Sequence, residues 1–430
     1  MRMADTWIVA ATLAALAHTS MVGARAAESE SDRPRIVSFE TDAAQPPLYG
    51  AIYSEPLGLR LISAGYASDD NGRRWTEHQT TPDFSAGLPF GYRRERGTAV
   101  LDSRNGRLLV LFNSLDTPGL DPKAIEPPIS LNEYYLRYRV SGDGGRTWMF
   151  DERINHTGRD FSDKHPFDGI ELGKNSLFLG DNGCAPLVTR TGRILVPAQA
   201  TILGPDGKLL NPLGQTTFTD VFVILGKWRD DGRIEWTASP RVNVDVSLST
   251  RGMIEPTLAE FKDGRILMVM RGSNAGRADI PGRRWFSISS DDGSTWSPPQ
   301  PWTYDDGEPF FSPSSMSVLA THSSGRVFWL GNVSKTNTNG NDPRLPVVLG
   351  EVDPASLRLI RRSVLEVDTK RPEDDQRGRE LLGDFRGQLD LSHFHVMEDR
   401  ESHEFVLTYP RAFGGYAKSD WATVRVSIGK

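Results

Sequence analysis

Glu255 and Arg271 stand out for the chemistry their spacing allows. They close the two ends of one stretch, Glu255-Pro256-Thr257-Leu258-Ala259-Glu260-Phe261-Lys262-Asp263-Gly264-Arg265-Ile266-Leu267-Met268-Val269-Met270-Arg271. Two short apolar runs flank Lys262-Asp263-Gly264, which is a hairpin signature. Strand pairing about that turn brings the two ends side by side. A carboxylate able to take a proton would then lie beside a guanidinium whose planar fork can hold an anionic ligand with two bonds. The other reading of Arg271 is a strand-end arginine paired with a nearby acid.

A second group lies near the C-terminus. Gln388-Leu389-Asp390-Leu391-Ser392-His393-Phe394-His395 follows Asp384 and Arg386. Strand alternation would put His393 and His395 on one face. Two imidazoles beside Asp384, Asp390 and Arg386 suit proton transfer, although a single histidine is more often a hydrogen-bonded core residue. The loop Asp160–Asp168 adds three carboxylates and His165, and reads as a solvated loop. Cys184 is the single cysteine, so neither a disulfide framework nor a cysteine metal site is available. It reads as a buried thiol behind Gly183. Neither metal nor cofactor is expected.

The elements that must position these groups repeat along the chain. An Asp-turn occurs at Ser68–Trp75, Ser141–Trp148 and Ser289–Trp296, with a decayed copy at Trp228–Trp236. In Ser-x-Asp-x-Gly-x-Thr-Trp the carboxylate accepts backbone N–H groups, glycine supplies a positive φ and tryptophan anchors the turn. A Gly-Arg hairpin turn alternates with it at Gly106, Gly192, Gly264 and Gly325. Each round supplies about four strands, one propeller blade. Six rounds predict an all-β, six-bladed β-propeller: roughly Arg35–Thr76, Gly97–Arg153, Asn175–Val242, Ile254–Trp302, Ser314–Leu365, and Leu391–Tyr409 closed by Ala422–Ile428. The Asp-turns belong on the rim away from the mouth. Insertions at 79–96, 113–128, 155–173, 204–218 and 336–346 are the places for ligand contacts.

These repeats resemble the sialidase (neuraminidase) superfamily over most of the chain. The Glu255–Arg271 unit is similar to the segment in which a Glu precedes a hairpin that ends on an Arg. By resemblance, Glu255 activates the nucleophile, and Arg271 joins Arg344 and Arg35 in a triad gripping the substrate carboxylate. Arg344 lies in Asn341-Asp342-Pro343-Arg344-Leu345-Pro346, and Arg35 in Arg35-Ile36-Val37. The family's nucleophile is a Tyr at the start of the last blade. Here that place, Gln388–His395, contains no Tyr. Asp384, His393 and Arg386 then become candidate mouth residues: Asp384 and His393 for catalysis, Arg386 for binding. Tyr409 reads as a packing or capping residue. The family's loop acid falls on Glu55 or Asp42, and Glu55 equally well caps a strand.

Composition narrows the class. The 430-residue chain has a formal net charge of −6, which argues against nucleic acid as a partner. Residues 1–26 read as a signal peptide, with an apolar core from Trp7 to Ala17 and Ala24-Arg25-Ala26 before the cut. Residues 27–430 then form one domain, secreted or periplasmic, without a membrane span. The resemblance implies a glycosidase acting on an acidic oligosaccharide or glycoconjugate. A non-catalytic glycan- or protein-binding propeller and a propeller polysaccharide lyase remain the competing classes, because fold alone decides none of them.

Overall fold

The computed structural model describes residues 33–78, 98–115, 130–181, 183–415 and 418–429. The signal segment, the 79–96 insertion and most of the 113–128 insertion lie outside these residues.

Six antiparallel sheets follow one another along the chain and form the blades of a propeller. Blade one is built from Ile52–Tyr53, Leu61–Ser63, Tyr66–Ser68 and Thr76–Glu77, blade two from Thr98–Asp102, Arg107–Ser114, Tyr135–Ser141 and Phe150–Arg153. Blade three has a divided inner strand, Leu177–Phe178 and Leu187–Val188, beside Ile194–Thr201, Thr219–Trp228 and Ile234–Ala238. Blade four runs through Ile254–Glu260, Ile266–Arg271, Arg284–Ser289 and Gln300–Pro301, and blade five through Val318–Thr321, Val327–Asn332, Val347–Glu351 and Leu365–Asp368. Blade six also has a divided inner strand, Leu389–Leu391 and His395–Glu398, followed by Phe405–Phe413 and Ser419–Ser427.

Arg35–Asp42 departs from the expected plan. This strand does not open blade one but pairs antiparallel with Ser419–Ser427 as the outer strand of blade six. Joining the two ends of the chain in one sheet closes the ring and covers an edge that would otherwise stay open. A second difference is the helix Asp374–Leu382 between blades five and six. Arg411 on the neighbouring strand holds it, with Nη2 2.7 Å from Asp374. Tyr409 is fully buried in the same place and donates to Asp368 Oδ2 at 3.1 Å, so it packs, as expected.

The apolar core lies in the seams between blades. Strand pairing satisfies the backbone and leaves each blade two apolar faces to bury against its neighbours. Val269 and Phe286 of blade four meet Trp329 and Leu349's neighbour Val348 of blade five in one seam, and Met268 and Met270 meet Val221 and Val223 of blade three in another.

In the Asp-turns the aspartate carboxylate is held by donors of its own turn. Asp143 accepts from Thr147 N at 2.8 Å, Thr147 Oγ1 at 2.6 Å and Ser141 Oγ at 2.8 Å. Arg74, in the threonine place of the first turn, reproduces both donations, from N at 2.8 Å and Nε at 2.9 Å to Asp70. Glu55 is tied to this turn system by an ion pair with Arg146. It therefore braces blades one and two, in keeping with its structural reading.

Candidate active site at the mouth of the propeller

Arg271 ends a strand whose six residues are all buried. A guanidinium there needs partners, because an unpaired buried charge costs several kcal/mol. It finds three. Nη1 lies 2.7 Å from Glu255 Oε1, Nε donates to Ser314 Oγ at 2.8 Å and Nη2 to Asn341 Oδ1 at 3.2 Å. The hairpin thus unites its two ends, as its spacing predicts.

Glu255 does not lie in regular strand geometry. Its φ is +46°, and the register with the partner strand shifts between Ile254 and Thr257. A β-bulge of this kind re-aims a side chain, and positive φ in a residue other than glycine is strain that the surroundings must support. Here the support comes from blade three, where Gln199 Oε1 accepts the Glu255 N–H at 2.8 Å. Glu255 Oε2 is buried without a hydrogen-bond partner. Burial alone would raise the carboxyl, but the Arg271 guanidinium outweighs it and holds Glu255 below the usual carboxylate range.

Arg344 enters from the 336–346 insertion. Its Nε and Nη2 donate to the Ser314 carbonyl at 3.3 and 3.1 Å, and its Nη1 pairs with Asp390 Oδ2 at 3.1 Å. Ser314 therefore links the two arginines, one through its hydroxyl and one through its carbonyl. His393 Nε2 lies 3.0 Å from Asp181 Oδ2. Asp181 acts electrostatically on Glu255, so the pair belongs to the same cluster.

Two further arginines join it. Arg284, fully buried, donates to Ser312 Oγ at 3.0 Å and Ser315 Oγ at 2.8 Å, and its Nη1 has no partner. Arg251 donates to Thr217 Oγ1 at 2.7 Å and leaves Nε unbonded. Burial, and next the charge of Arg271, pull both guanidinium pKa values down to about 9. Positive charge is crowded here, and a bound anion would relieve it.

Not every residue picked from sequence arrives. Arg35 lies exposed on the outer strand of blade six, paired with Ser427. Asp384 and Arg386 face solvent after the helix, 3.8 Å from each other, with side chains 84% and 88% exposed. The chain bends at Ser392–Phe394 and ends the expected alternation. His395, half-buried, meets the Tyr49 ring with centroids 6.2 Å apart, and desolvation takes its pKa down to about 4. Cys184 is buried as expected, its thiol pushed well up by burial and then by the Glu255 charge. Asp163 bonds Asn155, and the described residues contain no group of three or more His, Cys, Asp or Glu arranged to hold a metal.

Sequence reasoning missed Asp181, Arg284, Arg251 and the serine run. Their signals were present. Asp181 lies in Gly180-Asp181-Asn182-Gly183, Arg284 opens an apolar strand, and Ser312-Pro313-Ser314-Ser315-Met316-Ser317 is a polar run before an inner strand.

The BNR repeat-like domain model matches residues 62–393. The chain belongs to this family. No curated protein matches the BNR repeat-like chain in sequence. Among solved structures, a Dyadobacter fermentans protein of unknown function is 16% identical with a TM-score of 0.53, over 92% of this chain and 99% of the other. The Hadza microbial sialidase Hz136 is 16% identical, TM-score 0.50, over 90% of this chain and 65% of its own. The NanB sialidase of Streptococcus pneumoniae is 11% identical, TM-score 0.50, over 92% and 68%. At these identities the likeness is one of fold. The described residues contain no helix long and apolar enough to cross a membrane.

Proposed function

We propose that this BNR repeat-like protein is an exo-acting glycoside hydrolase that releases a terminal acidic sugar, sialic acid or a related acid, from a glycan. The observation that carries the reading is the convergence of Arg271 and Arg344 on Ser314 beside Glu255. Arg271 and Arg344 would bind the sugar carboxylate, with Arg251 adding positive charge where the resemblance expected Arg35. Glu255, kept ionised by Arg271, would face the positive charge that develops at the anomeric carbon. The fold likeness to two sialidases agrees with this class.

The test is a panel of sialosides and uronides incubated with the full chain, with released sugar as readout. Release of one acidic sugar supports the reading. An unsaturated, ultraviolet-absorbing product would replace it with a lyase, and tight binding without turnover would replace it with a binding module. Export is part of the proposal: the chain recovered outside the cytoplasm should begin near Ala27. Sequencing that finds Met1 on exported protein would reject that part.

A further inference from the structure

The 155–173 insertion builds a second recess, outside the mouth. It folds back on blade three and lines a cavity of about 690 Å³ at the seam between blades two and three. That volume is within the span of about 300–1,000 Å³ usual for a small-molecule site. Thr201 ends the second strand of blade three and Thr219 begins the third, as Arg271 and Arg284 do in blade four. The cavity therefore opens on the same face of the propeller as the mouth. Thr219 turns toward blade four, its hydroxyl donating to the Met253 carbonyl at 2.8 Å. Asp220, next in the strand, points to the other side of the sheet and lines the cavity with Phe222. Cavity and mouth thus lie on opposite sides of the blade-three sheet.

The insertion is pinned to blade three, so the cavity is preformed. The Thr157 N–H donates to the Trp236 carbonyl at 2.7 Å. Asn175 Nδ2 ties Gly169 to Thr201 by donating to both carbonyls, at 2.7 and 2.9 Å. Phe161 stacks between His156 and His165, with ring centroids 4.2 and 5.6 Å away. Each imidazole donates Nδ1–H to a carbonyl, His156 to Thr157 at 3.0 Å and His165 to Ile170 at 2.7 Å. A carbonyl can only accept, so Nε2 of the neutral ring is left as an acceptor. Arg241 Cζ lies 3.8 Å from the centre of the Phe222 ring, and Nη1 reaches Asp220 Oδ1 at a long 3.3 Å. Among the described residues Asp220 Oδ2 accepts nothing, and it is not sealed from the cavity. Burial outweighs the Arg241 charge and takes the Asp220 pKa up to about 6, as befits a carboxylate short of donors.

A ligand in this cavity meets three acceptors, Asp220 Oδ2 and the two imidazole nitrogens, among aromatic and apolar side chains. Asp220 repels an anion and Arg241 repels a cation. A neutral ligand with several hydroxyl donors and an apolar face satisfies both kinds of lining. We propose that the cavity binds a neutral sugar ring, its hydroxyls donating to Asp220 and its C–H face packed on the aromatic lining. The mouth and the cavity then divide the recognition of a glycan, the arginines of the mouth taking a charged unit and the seam an uncharged one. The choice of a sugar over another neutral polyol rests on the glycosidase reading above, because the cavity opens on the face of the mouth. Binding here requires no turnover there, so the two readings can fail separately.

The test is binding of galactose, glucose, N-acetylglucosamine and lactose to the full chain, followed by saturation-transfer NMR and titration. At least one of them should bind the wild type. Ala238 lines the cavity, so Ala238→Trp fills it and should abolish that binding. Asp220→Asn keeps the shape, removes the charged acceptor and should raise Kd about tenfold or more, the scale of a hydrogen bond to a charged group. Melting curves check that both variants fold, and both should release acidic sugar from a short aryl glycoside at the wild-type rate. A wild type that binds none of the neutral sugars would overturn the proposal, as would an undiminished affinity in both folded variants. A wild type that binds a neutral sugar in this cavity but releases no acidic sugar would overturn the glycosidase reading alone.

Discussion

The strand Arg284–Ser289 carries two charged sites built from similar residues, one at each end. At its start Arg284 lies under the mouth; at its end Ser289 opens the third Asp-turn. In the turn, Asp291 is saturated: Thr295 N at 2.9 Å, Thr295 Oγ1 at 2.6 Å and Ser289 Oγ at 2.8 Å all donate to it. At the mouth, Glu255 Oε2, Arg284 Nη1 and Arg251 Nε are buried without partners. Native proteins rarely leave buried polar atoms unbonded, so those that remain point to a missing ligand or to a functional need. Carboxylates, arginines, hydroxyls and positive φ occur at both ends. What differs is the carboxylate: that of Asp291 is held entirely by its own turn, whereas Glu255 leaves one oxygen unbonded beside arginines that also keep unbonded N–H groups.

The strongest challenge to this comparison is Glu255→Gln. It keeps the shape and removes the charge, and should reduce turnover by about 10²–10⁴-fold in a variant that still folds, with a melting temperature lowered by the loss of the counter-charge of Arg271. Turnover equal to wild type would move the chemistry away from Glu255. Next in size, Arg271→Ala should weaken binding of an acidic sugar by roughly 1.5–3 kcal/mol, the scale of a hydrogen bond to a charged group, and Arg271→Lys should recover only part of it. Calorimetry with acidic and neutral forms of one sugar checks this; an equal loss for both would separate Arg271 from the carboxylate. The same variant frees Glu255 from the cation that holds its pKa down, so any acidic limb due to Glu255 should move to higher pH.

At the opposite rim, Asp143→Ala should cost stability and leave KM alone. The expected loss is about 1–2 kcal/mol, comparable to losing a side-chain cap on backbone N–H groups. Partial burial pushes Asp143 up, but the Thr147 hydroxyl and N–H and the Ser141 hydroxyl outweigh it and hold the pKa at about 2. A depressed carboxyl contributes stability above its ordinary value near 4. That contribution disappears as pH falls through about 2, and the stability gap between wild type and Asp143→Ala should close over the same range. A gap that persists in acid would place the effect outside the carboxylate. The smallest effects belong to Arg35→Ala and Arg386→Ala. Both side chains are exposed and distant from the cluster, so stability should stay within about 0.5 kcal/mol and turnover should match wild type. A large loss of turnover in Arg35→Ala would restore the triad suggested by resemblance.

The division between what was legible and what was not follows interaction range. The fold was legible because its signals are local. Each Asp-turn closes within eight residues, as in Ser141–Trp148, and each hairpin pairs neighbours in the chain. The Glu255–Arg271 contact was legible for the same reason, since one turn joins its partners. Closure of blade six by Arg35–Asp42 was not, because it pairs residues at opposite ends of the chain, such as Arg35 and Ser427. Exposed β-rich strands carry no address for a distant edge. Asp384 and His393 looked equivalent in sequence, both polar and both near the start of the last blade. Tertiary structure separated them, sending Asp384 to solvent after a helix and His393 across the axis to Asp181. Sequence by itself determined the blades and one pair at the mouth. Only the closed ring decided which other charges meet there, because side chains from separate blades converge only once every seam has packed.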